Sequence, residues 1–422
     1  MQRHFLKKYI FTIIFLVSIF VFSIMNIIAE RSAIKDTIKN CKWNFGSLSK
    51  SVKTLENTIN SNISNKYTFI ETFGYVENLI GTDVDNGFTY VKSDSGELFY
   101  TENKDLLNNF DQNFNRVKKL RDLSEKNNAK FLVLLPPDKY MNGKSTFRSG
   151  IPYLDSSKLL NKWTKSMDKE NISYIDYRDY STEMTKFQGS NVFYNTDHHW
   201  KTKSAFYSYQ VLVKELNNRF KMNIDPDGYY TNLNNYNVTT YKDYFLGSMG
   251  RETGVSYSGL DDFELITPKF DTDFSRRYNP QGLPGDYRMA KGPTVDSLLT
   301  IYNLDSKKKI YDSDRYSTYL DGVNAEDYIF NNLNPKGPKV LLVRDSFMAP
   351  VGTFLANNCS EIDMVWSLKY KGVFGDILEK GDYDLVIFES GASNLYDNTL
   401  IEGIDYSGVG TQSAKGNTKT SK

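Results

Sequence analysis

The sequence predicts an α/β protein whose parallel sheet is covered by helices on both faces. Short, wholly apolar runs such as KFLVLLP (130–136) and DLVIFE (384–389) are typical of strands that are buried on both faces. Segments with helical apolar spacing, such as SKLLNKWTKSMDKEN (157–171), lie between such runs. Strands that alternate with helices favour a parallel sheet, and a chain of 422 residues that is 40% apolar is ample to bury its core.

The N-terminus carries a membrane signal. From Tyr9 to Ala29 the chain runs about 21 residues without a charge, and at about 1.5 Å per residue this segment is long enough to cross a hydrocarbon core of about 30 Å. Arg3, Lys7 and Lys8 precede it, so we expect the N-terminus to stay in the cytoplasm and the chain after residue 30 to lie outside. We interpret it as an uncleaved signal anchor. A cleaved signal peptide is the alternative, although its apolar region is usually only about 7 to 15 residues long.

The next seventy residues predict a stalk and a hairpin. Residues 31–65 are polar with scattered apolar positions, which suggests a stalk or a peripheral helix. The stretch GFTYVKSDSGELFY (87–100) alternates around a Ser-Gly turn, as a β-hairpin does.

The remaining elements of the α/β core follow in order. Helices are predicted at 114–129, 157–171 and 371–382, and strands at 130–136, 172–177, 339–343, 362–366 and 384–389. Thr202 is a candidate cap for a further helix that carries Ala205, Phe206, Tyr209, Leu212 and Leu216 on one stripe.

Residues 221–335 break this rhythm, because they are rich in Asn, Asp, Tyr, Gly and Pro and their apolar runs are short. We interpret them as an irregular, partly β insertion joined to the sheet. The small, polar C-terminus predicts a disordered tail. The predicted organisation is a cytoplasmic flank with a transmembrane helix (1–30), a stalk and hairpin region (31–100), a catalytic domain (101–400) and the tail (401–422).

Charge and cysteine content limit the function. Fifty-two basic residues against 51 acidic ones give a formal charge of +1, so no overall field favours nucleic acid, and we expect no nucleic-acid partner. Cys41 and Cys359 are the only cysteines, which excludes a CxxC metal site and a disulfide framework. They either form one bridge or stay free, and both alternatives remain open.

Two of the three histidines are adjacent and follow an aspartate, in FYNTDHHWKTKSAF (193–206). A zinc site could use Asp197, His198 and His199, but consecutive residues in extended chain point to opposite sides, which argues against one shared metal. The histidines could also be hydrogen-bonded loop residues without a chemical role. In a third interpretation, Asp197 orients His199 as a general base, because a D-x-H spacing projects both side chains to the same side.

That third interpretation requires a nucleophile, and KVLLVRDSFMAP (339–350) supplies Ser346. Four apolar residues predict a central strand, RDS follows at its C-terminal end, and Pro350 suits the first turn of a helix. Reactive groups in open α/β sheets lie at such strand ends. Backbone N–H groups there are available to stabilise an oxyanion. Alternatively, Ser346 merely caps the next helix.

TDHHW followed by RDSF resembles the DHHW family and the related alginate O-acetyltransferases of the SGNH hydrolase-like superfamily. The similarity covers most of residues 90–400, with LLPPDKY (134–140) similar to an early PxK segment, YIDYRDY (174–180) to the second strand and VIFESGASNL (386–395) to the last. The resemblance implies a flavodoxin-like sheet, permuted relative to ordinary esterases of the superfamily, and an acyl-serine mechanism with Ser346, His199 and Asp197. It also implies a polysaccharide acceptor and a membrane-bound O-acyltransferase that supplies acetyl groups.

The chain departs from this family in two places. Arg344 stands where the superfamily usually has the glycine of GDS, and FESGASNL lacks the charged residues that many relatives carry. Candidates for substrate contacts are Arg251, Arg344, Asn394, Lys139 and His198. We expect no metal and no cofactor, because acyl transfer through serine needs neither.

Two classes of function follow. The first is a single-pass protein of the cell membrane, with its bulk outside, that acetylates an exopolysaccharide or cell-wall glycan, or that deacetylates one as an esterase. The second is a scaffold that binds polysaccharide without chemistry, for which the aromatic stretch at 227–245 could stack sugars.

Overall fold

The computed structural model describes residues 2–41, 43–44, 46–61, 63, 65–85, 87, 89–101, 107–139, 147–148, 150–151 and 155–405, with side chains from residue 9 onward except that of residue 61. Most of the predicted tail, residues 406–422, lies outside this part. Ile401 and Ile404 are buried in the core, so the folded chain extends beyond the expected boundary at 400.

The chain divides into two compact units, Met1–Val76 and Glu77–Lys422. The first contains α1 (Gln2–Ala29), α2 (Arg31–Asn40), α3 (Leu48–Ser61) and most of α4 (Lys66–Ile80). Within α1, Tyr9–Ala29 has a mean hydropathy of 2.6 and is long and apolar enough to cross a membrane, by length and composition only. The predicted stalk is therefore largely helical, with α2 and α3 covering most of its described residues.

The second unit holds the predicted hairpin as well as the α/β core. Its helices are α5 (Phe110–Lys126), α6 (Ser157–Lys169), α7 (Ser181–Gln188), α8 (Thr202–Phe220), α9 (Ser248–Thr253), α10 (Val255–Ser258), α11 (Thr294–Ser297), α12 (Met348–Leu355) and α13 (Phe374–Gly381). Its strands are β1 (Val84–Asp85), β2 (Tyr90–Lys92), β3 (Leu98–Tyr100), β4 (Lys130–Leu135), β5 (Tyr174–Asp176), β6 (Tyr236–Phe245), β7 (Asp261–Pro268), β8 (Phe274–Asn279), β9 (Arg288–Gly292), β10 (Glu326–Asn331), β11 (Lys339–Arg344), β12 (Glu361–Trp366) and β13 (Leu385–Glu389). The helix after TDHHW begins at Thr202 itself, with Lys201 at the N-cap position.

The central sheet has the strand order β5-β4-β13-β11-β12-β10-β8-β9. Its first five strands are parallel, as the sequence predicts. The last three come from the insertion and are antiparallel, so the sheet is mixed rather than wholly parallel. The insertion is joined to the sheet by direct strand pairing, and the predicted α/β architecture is confirmed.

Alternation along the parallel strands divides the core between two faces. Leu132 and Leu134 of β4 pack with α8 and α12, whereas Val133 and Leu135 pack with α5 and α6. Strands β11 and β13 alternate in the same way, so both faces of the sheet are buried by helices. This explains why these strands appear in the sequence as continuous apolar runs.

The carboxyl ends of three adjacent parallel strands meet at one edge of the sheet. Lys139 follows β4, Ser346 follows β11, and Asn394 follows β13. Ligands bind at such edges in open α/β sheets, so the fold brings residues from distant parts of the sequence to a single site.

Candidate active site

Ser346 lies in the three-residue turn between β11 and α12, and its side chain is half-buried. Asp345 fixes this turn: its Oδ1 accepts the Phe347 N–H at 2.9 Å, and its Oδ2 accepts the Gly391 N–H at 2.7 Å. Within the described residues, the backbone N–H of Ser346 forms no hydrogen bond. That N–H remains available to a ligand beside the hydroxyl.

His199 lies between the serine and the aspartate. Its Nε2 is 2.6 Å from Ser346 Oγ, and its Nδ1 is 2.6 Å from Asp197 Oδ1. In the tautomer that these contacts favour, Nδ1–H donates to the carboxylate and the serine hydroxyl donates to Nε2. The two contacts predicted from the sequence are present, although 147 residues separate His199 from Ser346.

Asp197 is buried and fully engaged by hydrogen bonds. Its Oδ1 also accepts the His199 N–H at 3.0 Å, and its Oδ2 accepts the Ser248 N–H at 2.6 Å. Burial alone would raise the pKa of Asp197, but the neighbouring imidazoles and these hydrogen bonds outweigh burial and hold that pKa well below its ordinary value. The carboxylate therefore stays ionised and can orient the imidazole at neutral pH.

The segment that carries Asp197 and His199 is held on both sides. Lys139 Nζ donates to the carbonyls of Tyr194 at 2.6 Å and Asp197 at 2.8 Å. Asp261 accepts the Thr196 N–H at 2.8 Å. Lys139 is only 2% exposed and its ammonium is bonded to these backbone carbonyls, so it supports this loop, whereas the sequence predicted a substrate contact. Burial lowers its pKa to about 8.

Trp200 and Tyr316 fix the imidazole against the nucleophile turn. The Trp200 Nε1–H donates to the carbonyl of Phe347 at 3.0 Å, which joins the TDHHW segment directly to the turn. Tyr316 stacks on the His199 ring with centroids 3.9 Å apart and planes at 15°. Tyr316 comes from the insertion, and no short-range pattern in the sequence marks it as a site residue.

His198 lies on the same side of the chain as His199, which corrects the expectation of opposite sides. Residues 195–199 form a series of bends rather than extended chain, and the two ring centroids are 3.9 Å apart. Potential ligand atoms of Asp197, His198 and His199 lie within 4.8 Å of one another. However, a metal on His199 Nδ1 would have to replace its hydrogen bond to Asp197. Burial and the neighbouring imidazole lower the pKa of His198 to about 3, so this ring is neutral at physiological pH.

Arg344 is not part of the open site. Its guanidinium is 0% exposed and lies 3.4 Å from Asp327, and it also donates to the carbonyl of Asp345 at 3.1 Å. Asp327 in turn binds Arg276 at 2.6 Å. The arginine that replaces the expected glycine therefore ties the nucleophile turn to the insertion strands and cannot reach a substrate from this position.

The two other candidates, Asn394 and Arg251, differ in their position relative to the nucleophile turn. Asn394 donates to Asp345 Oδ2 at 2.8 Å and lines a cavity of about 280 Å³ beside the nucleophile turn. Arg251 is half-buried and contacts the carbonyls of Leu246 and Ser313 at 3.3 and 3.4 Å. It does not line that cavity.

The sequence prediction missed the role of Gly247 and Ser248. Gly247 donates its N–H to Thr196 Oγ1 at 2.8 Å, and a Cβ at this position would lie 2.3 Å from the Cβ of Asp197. Only a glycine allows this close approach. The sequence signal was the three glycines in FLGSMGRETG (245–254), a segment that was singled out only for Arg251.

Two of the six aromatic residues in the stretch at 227–245 are buried in the protein. Tyr236 is 2% exposed and Phe245 is 0% exposed, and both belong to the main core. Tyr229 is 48% exposed, and the other three are half-buried: Tyr230, Tyr241 and Tyr244. Part of the sugar-stacking stretch of the scaffold hypothesis is therefore core packing.

Residues 94–239 match the family model described as SGNH hydrolase-like domain, acetyltransferase AlgX. Over these residues the chain is similar to an SGNH hydrolase-like domain. The matched segment includes Asp197 and His199 and ends before Ser346. No curated protein matches the chain.

Solved structures share the fold. A DHHW family protein from Eubacterium siraeum is 17% identical, with a TM-score of 0.55 over 76% of this chain and 96% of its own. Bacillus cereus PatB1, solved with a sulfonyl adduct, is 19% identical, with a TM-score of 0.58 over 74% of this chain and 98% of its own. At these identities the solved structures show a shared fold alone. Together with the matched family model, they confirm the resemblance predicted from TDHHW and RDSF.

Proposed function

We propose that the chain is an O-acetyltransferase that carries an acetyl group on Ser346 and passes it to a polysaccharide hydroxyl. The observation that supports this most strongly is the continuous contact of Ser346, His199 and Asp197, at 2.6 Å for each step. The matched family model is described as that of acetyltransferase AlgX, which agrees with acetyl transfer.

The proposed reaction has two steps. Ser346 Oγ attacks the acetyl carbonyl carbon of the donor while His199 Nε2 takes the hydroxyl proton, and His199 then returns this proton to the leaving group. In the second step the acceptor hydroxyl attacks the serine ester, His199 removes its proton, and the proton returns to Ser346. The unbonded N–H of Ser346 is a candidate donor to the oxyanion in both steps.

Asp197 stabilises the protonated imidazole in each step without becoming protonated itself. Its lowered pKa agrees with this role, because an ionised carboxylate is needed opposite Nδ1. If water replaces the sugar hydroxyl, the same residues hydrolyse the ester. The ratio of acetate to acetylated acceptor therefore distinguishes a transferase from an esterase.

The proposed location is the outer face of the cell membrane, with the apolar segment Tyr9–Ala29 of α1 as a single-pass anchor. The proposed partners are the polysaccharide acceptor and a membrane-bound O-acyltransferase that supplies acetyl groups. Protease added to intact protoplasts should digest the bulk of the chain and leave a membrane-held N-terminal fragment. A chain that is protected from the protease would contradict this orientation.

A Ser346→Ala variant tests the activity in cells. We expect it to reach the membrane in normal amounts and to fail to restore polymer acetylation in a strain that lacks the native protein. A matched Ser360→Ala variant, at a partly buried serine before β12, should restore it fully. Acetylation that survives the loss of Ser346 would favour the scaffold hypothesis instead.

A further inference from the structure

We infer that Glu389 is a positioning residue that holds the nucleophile turn as an un-ionised acid, with its proton shared with Asp345. The inference concerns the turn that carries Ser346, and its part in acyl transfer rests on the proposed function. It derives from charged side chains that are buried beside that turn. We call them the buried charge cluster: Arg276, Asp327, Arg344, Asp345 and Glu389.

Glu389 lies beside the turn because it is the last residue of β13, which is the parallel neighbour of β11. It is 0% exposed, and its Oε2 accepts the Asp345 N–H at 2.9 Å. Its other oxygen, Oε1, is buried and has no hydrogen-bond partner among the described residues. An ionised carboxylate here would leave a charged oxygen unsatisfied in the core, which is costly.

Asp345 supplies the acceptor that a proton on Glu389 needs. Its Oδ1 accepts the Phe347 N–H at 2.9 Å, and its Oδ2 accepts the Gly391 N–H at 2.7 Å and the Asn394 amide at 2.8 Å. Three donors make Asp345 the carboxylate of the pair. The side chains of Glu389 and Asp345 are themselves in hydrogen-bonding contact, which an acid and a carboxylate can form but two carboxylates cannot. Glu389 therefore carries the proton.

The charge of the cluster supports this assignment. Two guanidiniums and three carboxyls would give it a net charge of −1 in the core if all five groups were ionised. The guanidiniums of Arg276 and Arg344 lie against Asp327, at 2.6 and 3.4 Å. Burial raises the pKa of Glu389 well above its ordinary value and the Asp345 carboxylate raises it further, whereas Arg344 offsets only a smaller part.

The proton on Glu389 matters for the nucleophile. The charge of Glu389 also acts on Tyr177, a phenol whose pKa burial holds well above its ordinary value, so Tyr177 adds no charge beside it. An ionised Glu389 would place a second negative charge against Asp345 and push that carboxylate away from the N–H groups that it accepts. Those hydrogen bonds set the turn that aligns Ser346 with His199.

Infrared spectroscopy of the purified full chain in detergent tests the protonation state. The un-ionised carboxyl of Glu389 should give a carbonyl band that persists in wild type at about pH 8 and is missing from Glu389→Gln. The matched control is Glu379→Gln, at an exposed carboxylate of α13. Its spectrum should keep the band.

Unfolding in urea gives a second readout. A glutamate in the unfolded chain ionises near about pH 4.3, so above that pH the native state of wild type binds one proton more than its unfolded state. Wild type should therefore lose stability relative to Glu389→Gln as pH rises. The ratio of their unfolding constants should grow by about tenfold per pH unit between roughly pH 5.5 and 7.5, whereas Glu379→Gln should follow wild type at each pH.

Turnover of p-nitrophenyl acetate tests the role in the turn. Glutamine presents an acceptor to the Asp345 N–H and a donor to its carboxylate, as the un-ionised acid does. Leucine fills a similar space without either group. Glu389→Leu should lower turnover by at least about tenfold, and Glu389→Gln should restore most of that loss.

The inference fails if the spectra of wild type and Glu389→Gln do not differ, or if the ratio of unfolding constants is independent of pH. It also fails if Glu389→Gln does not fold or loses as much turnover as Glu389→Leu. If Glu389→Leu does not fold, the spectra and the unfolding ratio decide. Acetylation of Ser346 in wild type is measured separately: its absence refutes the proposed function, whereas its presence without the Glu389 band refutes only this inference.

Discussion

A Gly247→Ala substitution should displace the carboxylate that orients the imidazole. The new Cβ would lie 2.3 Å from Asp197 Cβ, 2.7 Å from Asp197 Oδ2 and 2.4 Å from the carbonyl oxygen of Thr196. Ordinary contacts between such atoms are about 3.5 to 4.0 Å, so Asp197 must retreat by roughly 1 Å. A retreat of that size lengthens the 2.6 Å contact between Asp197 Oδ1 and His199 Nδ1 beyond a hydrogen bond.

The loss of this contact should reduce turnover more than stability. A misplacement of about 1 Å can cost roughly 10²-fold in rate, and overpacking a well-filled site costs about 1–3 kcal/mol. The backbone of Gly247 has φ −71°, so alanine adds no backbone strain there. The effect comes from the contact with Asp197.

Release of p-nitrophenol from the acetyl ester measures kcat, and thermal unfolding measures stability. The matched control is Gly375→Ala in α13, where the nearest contact of the added Cβ would be an ordinary 4.0 Å to Val373. This control should keep wild-type turnover. A folded Gly247→Ala variant with kcat within about threefold of wild type would refute the argument that Asp197 must stay in place.

Three further predictions concern the same loop. His199→Ala should reduce turnover to the background that binding and the oxyanion donors provide, whereas His198→Ala should mainly change KM for the acceptor. If steady-state kinetics show the opposite ranking, His198 rather than His199 is the general base. The folded-state pKa of Lys139, about 8, is below the ordinary value of about 10.4, so the unfolded chain binds more protons above pH 8 and stability should rise with pH. Between pH 7 and 9.5 the free energy of unfolding of wild type should increase by about 2 kcal/mol relative to Lys139→Met in urea titrations, and parallel curves for the two proteins would contradict this. EDTA should leave turnover unchanged, because His199 Nδ1 is bonded to Asp197 rather than available to zinc, and loss of activity that added zinc restores would support the metal interpretation.

The sequence predicted the parts of the fold and site that depend on local pattern. Continuous apolar runs identified β4, β11 and β13 because these strands are buried on both faces. The D-x-H spacing predicted the contact between Asp197 and His199, and the end of an apolar strand predicted the position of Ser346.

Long-range pairing accounts for what the sequence did not predict. The three antiparallel strands of the insertion are short and half polar. They belong to the sheet only because β10 pairs with β12, β8 with β10, and β9 with β8. Arg344 was predicted to contact the substrate, but it binds Asp327 instead. The two residues are 17 positions apart, and no local sequence pattern indicates that they pair. His198 was predicted to point away from His199 because the sequence argument assumed extended chain. The structure has bends at 195–199 instead.

The most direct test of the account is to find the acetyl group on Ser346. The full chain is mixed with p-nitrophenyl acetate, quenched in acid within the first turnover, digested and mapped by tandem mass spectrometry, with Ser346→Ala treated in parallel. The account predicts one acetyl group on the hydroxyl of Ser346 in wild type and none in the variant, because His199 Nε2 lies 2.6 Å from the Ser346 oxygen. Turnover of the ester without acetylation of Ser346, or equal turnover by Ser346→Ala, would contradict it.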